Sequence, residues 1–506
     1  MGRSCATSVA AARGMVHSIA GADCTMSRAR SHAKNMIALL ASSAFARGLS
    51  LVALAISFKA LSQEENGVLQ FCLRAGYLFA LFTEFGIRGY LVRELARVRG
   101  NHELAQDLFA RVWNARLLLV LPVLLLNVVT LSLLQYDGRT VWLSVALFVY
   151  YVLDSFAILI KFAFRAYEQM WVDAVFSTLG RSLLVAGLVS LWFSGTLTLE
   201  RQALVYIASS GVEFIALGIL LWRRLHLSLF VRSHVHAMMS AVRTSIPFAV
   251  VNIIGTLYLS TGTFVLSKLL GDTAVASYNA AARLPEAAQF IPTAIVNALI
   301  PFLSRHHADR GVVGRYSQLL VRYCGYAGVA LAAVFVAEPL GVIHLFAKKE
   351  YEPVAYLFRY FGLWAVLVFY QIVGANVLIC LNREKVVMMR ALLALITNVV
   401  LNFLLVEHYG LEGSAIALVC SEVISCGLYA WVLWREGIPM RLSTLLEIGI
   451  VGTLMAGTML ALPNELPSLG RMIAGLAVGG AVVGVLVIQR DGQLLRRIFI
   501  GGQADT

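Results

Sequence analysis

About fourteen apolar runs of roughly twenty residues follow one another along this chain, separated by short polar connections. A helix of ~20 apolar residues is long enough to cross the ~30 Å hydrocarbon core of a bilayer. Backbone N–H and C=O groups in hydrocarbon must be satisfied within the segment, which favours helices. The sequence therefore predicts an all-α, polytopic membrane protein with about fourteen transmembrane helices.

Composition supports this class and excludes others. Charged residues make up 14% of the 506, whereas a soluble chain carries roughly 25%. The net charge of +13 does not indicate nucleic acid, because the basic residues are concentrated in connections between apolar runs. The seven cysteines show no C-x-x-C spacing. Neither a disulfide framework nor a metal site is therefore predicted.

The distribution of Lys and Arg predicts the orientation. Connections on the side of the amino terminus are rich in both, whereas those on the opposite side carry about four: Arg139, Arg201, Lys348 and Lys349. Both termini are therefore expected in the cytoplasm, with the protein in the inner (plasma) membrane. The predicted spans are 36–59, 68–91, 113–134, 141–164, 173–194, 202–222, 245–269, 274–303, 320–346, 354–381, 387–406, 413–434, 443–462 and 470–489.

A repeat divides the chain into two halves. Lys59 and Arg74 are fifteen residues apart and flank a polar turn, as do Lys268 and Arg283. Internally repeated halves with a site between them are common in secondary transporters. We expect two six-helix lobes, residues 35–225 and 226–436, around a central cavity. Residues 437–490 are predicted to form two further helices, and 1–34 and 491–506 to form cytoplasmic tails, the first disordered.

Several segments are similar to one family in the same order. They are MIALLASSAFARGL at 36–49, LFALFTEFGIRGYLVREL at 78–95, the Tyr-x-x-Ala-x-Arg motif at 278–283 and LNREKVVMMRALLALITNVVLNFLLVEHYGLEGSAIALVCSEV at 381–423. Together they resemble polysaccharide flippases of the multidrug/oligosaccharidyl-lipid/polysaccharide exporter superfamily. The resemblance covers nearly the whole chain after residue 35.

This resemblance implies a function and a mechanism. Family members pass undecaprenyl-diphosphate-linked glycans across the inner membrane through a cavity that opens alternately to each side. Expected partners are the lipid-linked glycan, membrane lipids, and polysaccharide polymerase and export proteins. In related lipid II flippases, arginines of spans one, two and eight line the cavity. Their motifs fall on Arg47 and Arg283 here, while a second span-one arginine would fall on Ala53 and is missing.

Cations inside predicted spans are candidates for binding an anionic head group, since a charge in the membrane usually has a functional reason. Arginine adds planar, bidentate contacts to phosphate oxygens. Alternatives exist: Arg74 lies where it can snorkel to the surface, and Arg88 stands four residues after Glu84, the spacing of an intrahelical ion pair. The substrate-binding candidates are Arg47, Arg74, Arg283, Lys268 and Arg88.

Three carboxylates, Glu422, Asp154 and Glu213, are candidates for coupling transport to H+ or Na+, and no other cofactor is predicted. Glu422 lies midway along its span with no obvious partner, and an unpaired buried carboxylic acid can cycle its proton. A structural role is equally open for it. For Glu213, the alternative is an ion pair with Arg181 on the neighbouring span.

Two other functions are alternatives to a flippase. Drug exporters of the same superfamily usually have about twelve spans and acidic sites for cationic substrates, which two extra spans and arginine-rich helices fit poorly. Membrane glycan polymerases and glycosyltransferases generally need a sizeable periplasmic loop, and no such loop, P-loop, H-E-x-x-H or paired-aspartate motif is present. The protein is therefore predicted not to be an enzyme.

Overall fold

The computed structural model describes residues 42–84, 91, 94–98, 100–229, 235–438, 441–463 and 465–491. Within these ranges the chain is helical and no strand occurs. The α-helices are α1 Ser42–Ala60, α2 Gln63–Glu84, α3 His102–Leu133, α4 Gly138–Ala166, α5 Met170–Phe193, α6 Leu199–Leu225, α7 Val235–Leu269, α8 Asp272–Ala288, α9 Phe290–Arg305, α10 Arg310–Ala337, α11 Pro339–Phe346, α12 Phe358–Cys380, α13 Glu384–Arg435, α14 Leu442–Ala461 and α15 Ser468–Leu486.

The predicted all-helical membrane fold is confirmed, but the count of fourteen spans is not. Twelve helical segments of the described chain are long and apolar enough to cross a membrane. One of them is α13, whose 52 residues carry two predicted spans and bend at Gly410, where φ is 57° and ψ is −131°. A further helix, α2, lies where the second span was predicted.

Two lobes account for most of the packing. In the first lobe, α4 packs against α2, α5 and α6, and in the second, α12 packs against α10 and α13 while α7 packs against α13. The lobes meet where α2 contacts α7 and α8. The last two helices are attached to the second lobe: α14 packs on α10, and Arg471 of α15 forms a 2.9 Å ion pair with Glu338.

Backbone contact closes the lobe interface at the end where α2 and α8 begin, which we call the closed end. A Cβ atom on Gly67 would lie 1.9 Å from the carbonyl oxygen of Asp272, so only glycine permits this crossing. Gln63 Nε2 donates to Ser277 Oγ at 2.7 Å. Lys348 Nζ donates to the Leu61 carbonyl at 2.9 Å. The lobes are therefore joined directly at this end.

Aromatic rings fill the interior beside the closed end. The Phe58 ring meets the Tyr351 ring edge-on with centroids 5.3 Å apart. Phe71 stacks on Tyr136 at 4.5 Å, and the Tyr136 and Ser267 hydroxyls are 3.1 Å apart. Burial raises the pKa of the Tyr136 phenol further above neutral pH, so its protonated hydroxyl remains available for this hydrogen bond.

Substituting Gly67→Ala is expected to separate α2 from α8 and to lower the free energy of unfolding by about 1–3 kcal/mol, the usual cost of overpacking. SDS titration in mixed micelles would measure this difference. Gly457→Ala in α14 is the matched control, because no neighbouring atom lies within 4 Å of a Cβ there. Equal unfolding free energies for Gly67→Ala and the wild type would contradict the close crossing.

Candidate functional site: a charged cavity between the lobes

A cavity of about 860 Å³ lies between the lobes, away from the closed end. First-lobe helices α1, α2, α4, α5 and α6 line most of it, and α7, α8 and α9 complete it. It reaches Arg165 near the end of α4 and Asp173 near the start of α5. Its charged lining residues are Arg47, Asp154, Lys161, Arg165, Asp173, Arg181, Glu213, Arg283 and Glu286.

Three carboxylates on the first-lobe wall are ion-paired. Arg181 is 3.3 Å from Asp154, and Arg165 Nε donates to Asp173 at 2.6 Å. Lys161 Nζ donates to Glu213 at 2.9 Å. These pairs connect α4 to α5 and α6, so this wall is held together by charge as well as by packing.

The predicted ion pair between Arg181 and Glu213 does not form. The helix α4 packs against both α5 and α6, and it presents Asp154 to Arg181 and Lys161 to Glu213. Asp154 and Lys161 both line the cavity, as two residues seven apart on one helix face should. Asp154 and Glu213, the coupling candidates of this wall, are therefore already ion-paired with basic side chains.

Arg74 and Arg283 converge from opposite lobes on one carboxylate, Glu286. Arg74 Nη2 donates to Glu286 Oε2 at 2.6 Å, and Arg283 Nη1 is 3.6 Å from the same oxygen. Arg283 Nε also donates to Gln70 Oε1 at 2.9 Å. The Arg74 side chain is 10% exposed, so it is buried against α8 instead of snorkelling to the surface.

Arg47 differs from the other lining cations. It lies on the exposed side of α1, lines the cavity, and has its guanidinium 5.9 Å from the centre of the Phe290 ring. Among the described residues it takes part in no ion pair. Ala53, where related lipid II flippases were expected to carry a second arginine, lines the cavity as a small apolar residue.

Two predicted binding residues have other placements. Lys268 lies at the closed end, where Nζ donates to the Leu134 carbonyl and sits 3.8 Å from the centre of the Tyr136 ring. It is not part of the cavity lining. Arg88 lies outside the described residues. Its expected partner Glu84 is buried and accepts a 2.6 Å hydrogen bond from Ser155 Oγ.

Comparison with known proteins identifies the family. The profile of the family described as "Polysaccharide biosynthesis protein" matches residues 32–307, more than half of the chain. The chain belongs to the polysaccharide biosynthesis protein family. The MatE profile also matches, over residues 247–404.

A relative identified from its sequence agrees with this family. A "Putative O-antigen transporter" of Shigella dysenteriae is 32% identical over 176 residues, 33% of this chain and 42% of that protein. The match thus spans less than half of that relative. This relative is described as a transporter, in agreement with the prediction of a non-enzymatic protein.

The fold of this family member is also found in solved structures. Lipid II flippase MurJ in an inward closed conformation has a TM-score of 0.72 at 14% identity, covering 90% of this chain and 99% of that one. An inward-facing multidrug resistance MATE transporter of the MOP superfamily gives 0.64 at 14% identity, covering 80% and 95%. The predicted architecture of two lobes around a central cavity is confirmed.

In the second lobe of this family member, Glu422 has partners that the sequence did not reveal. It is fully buried, ion-paired with Arg390, and accepts a 2.7 Å hydrogen bond from the Tyr258 hydroxyl. Arg390 and Glu422 lie on either side of the bend at Gly410, which brings them together. The expectation of a lone carboxylate is therefore wrong. Glu422 is not among the cavity-lining residues.

Polar residues beside this pair serve packing. Asn398 Nδ2 donates to the Tyr258 carbonyl at 2.9 Å, joining α13 to α7. Asn402 Nδ2 donates to Asn398 Oδ1, and Ser414 Oγ donates to Asn402 Oδ1, both at 2.7 Å. Interhelical and cross-bend hydrogen bonds of this kind are the commoner use of polar side chains in membrane helices.

Replacing Arg390 with methionine should leave Glu422 buried without its cation, which costs about 3–5 kcal/mol for a buried pair. The double variant Arg390→Met/Glu422→Leu should recover most of this loss, because no uncompensated charge remains. Unfolding in SDS, measured for both variants and the wild type, checks the expectation. A single variant as stable as the wild type would show that the pair is not buried.

Proposed function

We propose that the protein is an inner-membrane flippase that moves an undecaprenyl-diphosphate-linked oligosaccharide from the cytoplasmic to the periplasmic leaflet by alternating access. The observation that carries the proposal is Arg47, a cation that lines the cavity and is in no ion pair among the described residues. It lies in the same cavity as Arg283, which shares its carboxylate partner Glu286 with Arg74. An anionic head group is the ligand that this arrangement favours.

The charge of the lining supports an anion over a cation. Five cations and four carboxylates line the cavity, and each of the four carboxylates is already engaged by Lys or Arg. Arg74 adds a further positive charge behind Glu286. A diphosphate can neutralise this excess through charge-assisted hydrogen bonds to Arg47 and Arg283, which are among the strong ones in proteins.

The uncharged lining suits a glycan. Tyr150, Tyr151 and Tyr206 present phenol rings and hydroxyls to the cavity, beside Ser50 and Thr293. Sugar hydroxyls lose free energy when they leave water without hydrogen-bond partners. A cavity that offers such partners, while its lipid-linked substrate keeps the tail in the bilayer, lowers the barrier to crossing the membrane.

The two ends of the lobe interface differ as alternating access requires. Backbone contact at Gly67 and Asp272 closes one end, while the cavity extends toward the start of α1 and the end of α4. With the predicted orientation, the closed end faces the periplasm and the cavity receives substrate from the cytoplasm. Transport would then open the closed end and bring the opposite ends of the lobes together.

Coupling to H+ or Na+ is part of this proposal. Asp154 and Glu213 line the cavity, so an ion that enters with the solvent can reach them. Each would bind it in competition with its own cation, Arg181 or Lys161. Polysaccharide polymerase and export proteins are the proposed partners downstream of the flippase, since its product would be their substrate.

A strain lacking the protein should accumulate a cytoplasm-facing undecaprenyl-diphosphate glycan and lose the corresponding surface glycan. Mass spectrometry of lipid extracts would identify the glycan, and labelling of spheroplasts would report its sidedness. Complementation with the wild-type gene is the control. An unchanged lipid pool together with an intact surface glycan would contradict the proposed function.

Arg283→Ala and Arg47→Ala should each reduce glycan export by about tenfold or more, because a charge-assisted hydrogen bond contributes ~1.5–3 kcal/mol. Both proteins should remain in the membrane, since neither residue belongs to the buried core. Export is measured as surface glycan and membrane content by immunoblot. Arg97→Ala, which removes an arginine with a 66% exposed side chain, is the matched control. Full export by Arg283→Ala would exclude it from substrate binding.

A small-molecule exporter is the second candidate, because the MatE profile and MATE structures match the chain. The paired state of all four lining carboxylates counts against a cationic drug, which needs an acidic partner of its own. Drug sensitivity of the deletion strain with an intact surface glycan would support this candidate instead.

A further inference from the structure

Glu286 has an unusual position in the lobe interface. It follows Pro285 at the end of α8, just before the interruption at Gln289 that separates α8 from α9. Its carboxylate lines the cavity, yet it also forms the ion pair with Arg74 that links α8 to α2 of the other lobe. One side chain thus belongs both to the candidate binding site and to the contact that joins the lobes.

Glu286 has no acidic counterpart in the first copy of the internal repeat. Superposing Lys59 on Lys268 carries Arg74 onto Arg283, and Tyr77 onto Glu286. Tyr77 is uncharged and its ring packs against Tyr151 at 5.2 Å. The repeat therefore brings two equivalent arginines together at the interface but supplies one carboxylate for both. This group of three side chains keeps a net positive charge.

Two buried hydrogen-bond donors belong to the side chains that contact Arg283 and Glu286. Gln70 Nε2 and Arg74 Nε are buried and have no hydrogen-bond partner among the described residues. Gln70 is 0% exposed and Arg74 is 9% exposed. Buried donors are normally satisfied, and an unsatisfied one is costly. A phosphate group has more acceptor oxygens than a carboxylate, so these donors suit an anion larger than Glu286.

We propose that Glu286 is an internal substitute for the substrate's phosphate, holding Arg74 and Arg283 in the empty cavity until a phosphate group displaces it. The identity of the anion rests on the proposed function. Displacement breaks the link between Arg74 and α8, so substrate binding weakens the contact that holds the lobes in this conformation. A ligand shifts a conformational equilibrium only through such differential contacts.

Displacement is physically accessible because Glu286 faces the cavity. Its side chain is 15% exposed, so the released carboxylate can turn toward cavity water without becoming buried and unpaired. The break between α8 and α9 lies three residues further on, which lets this segment move without distorting a continuous helix. Displacement of Glu286 by a phosphate group is thereby connected to a change in the angle between α8 and α9.

Binding to the purified full-length protein in nanodiscs tests the proposal, with farnesyl diphosphate as the probe. Glu286→Gln should bind it about tenfold more tightly than the wild type, because the competing carboxylate is removed while the arginines remain. Glu286→Asp, which keeps the charge but shortens the reach to Arg74, should have an intermediate affinity. It also serves as the measurable variant should Glu286→Gln fold poorly.

The matched control is Asp173→Asn. It removes the same charge from the cavity lining but leaves Arg74, Arg283 and Glu286 in place, so its gain in affinity should be much smaller. Adding Arg74→Ala to Glu286→Gln should abolish most of the gain in affinity, because alanine has no group that can donate a hydrogen bond to the phosphate. Inorganic pyrophosphate should show the same order of affinities, since Glu286 competes with phosphate oxygens.

A second measurement reports whether the lobes separate at the closed end. The native side chains of Gln63 and Ser277 are hydrogen-bonded at the closed end. Cysteines introduced as Gln63→Cys and Ser277→Cys should therefore cross-link in the otherwise wild-type protein when no ligand is added. Cross-linking, mapped by mass spectrometry to this pair, should fall in Glu286→Gln and on adding farnesyl diphosphate. It should not fall in Asp173→Asn.

The outcomes separate this inference from the proposed function. Tight binding by the wild type with no gain in Glu286→Gln over Asp173→Asn would overturn the role of Glu286 and leave a diphosphate substrate in place. Failure of both wild type and Glu286→Gln to bind either probe would overturn both proposals. A gain confined to farnesyl diphosphate would assign the effect to the lipid tail and also overturn the role of Glu286.

Discussion

The pairing of buried charge is the constraint on which this structure depends. A charged group costs several kcal/mol in a membrane interior unless it meets a counter-charge or water. In the first lobe, Lys161 with Glu213 and Arg181 with Asp154 satisfy that demand, and in the second lobe Arg390 with Glu422 does so. Positive charge is left over where the lobes meet, and that is where a ligand can supply what the protein lacks.

The repeat and its breakdown at Glu286 connect the fold to the site. The repeat alone would place Arg74 and Arg283 against each other, and two arginines in contact repel. A carboxylate in the second copy makes the empty interface tolerable, because it engages both. The first copy has Tyr77 at that position, so the charge of the pair is only partly neutralised. An attraction for anions follows from this incomplete neutralisation.

Much of the architecture could be predicted from the sequence. The length and hydropathy of the apolar runs determine the membrane spans, and the order of the spans indicated the fold. Cavity placement of Arg47 and Arg283 was also predictable from their depth in the spans and the family motifs. The ion-pair partner of each charged residue could not be predicted. Whether Glu213 meets Arg181 or Lys161 depends on the rotation of three helices, and rotation is set by packing that an apolar run does not encode.

Other features were hidden for specific reasons. Arg390 reaches Glu422 only because α13 bends at Gly410, and the sequence placed these residues in separate spans. Lys268 matched Lys59 in the repeat, but it ends its helix at the closed end. Glu286 stands three residues after Arg283, one helical turn away. A carboxylate one turn from a predicted binding arginine was the available signal, and it was missed.

The size of the conformational preference follows from the same contacts. Moving a two-state equilibrium from 1:99 to 99:1 takes a differential affinity of about 5.5 kcal/mol. A hydrogen bond between charged groups contributes about 1.5–3 kcal/mol, so the Arg74–Glu286 pair supplies part of the free energy that holds one conformation. A phosphate that takes over both arginines repays that cost as it releases the lobes. The closed end, joined by a glycine crossing, hydrogen bonds and aromatic packing, adds a further barrier to opening.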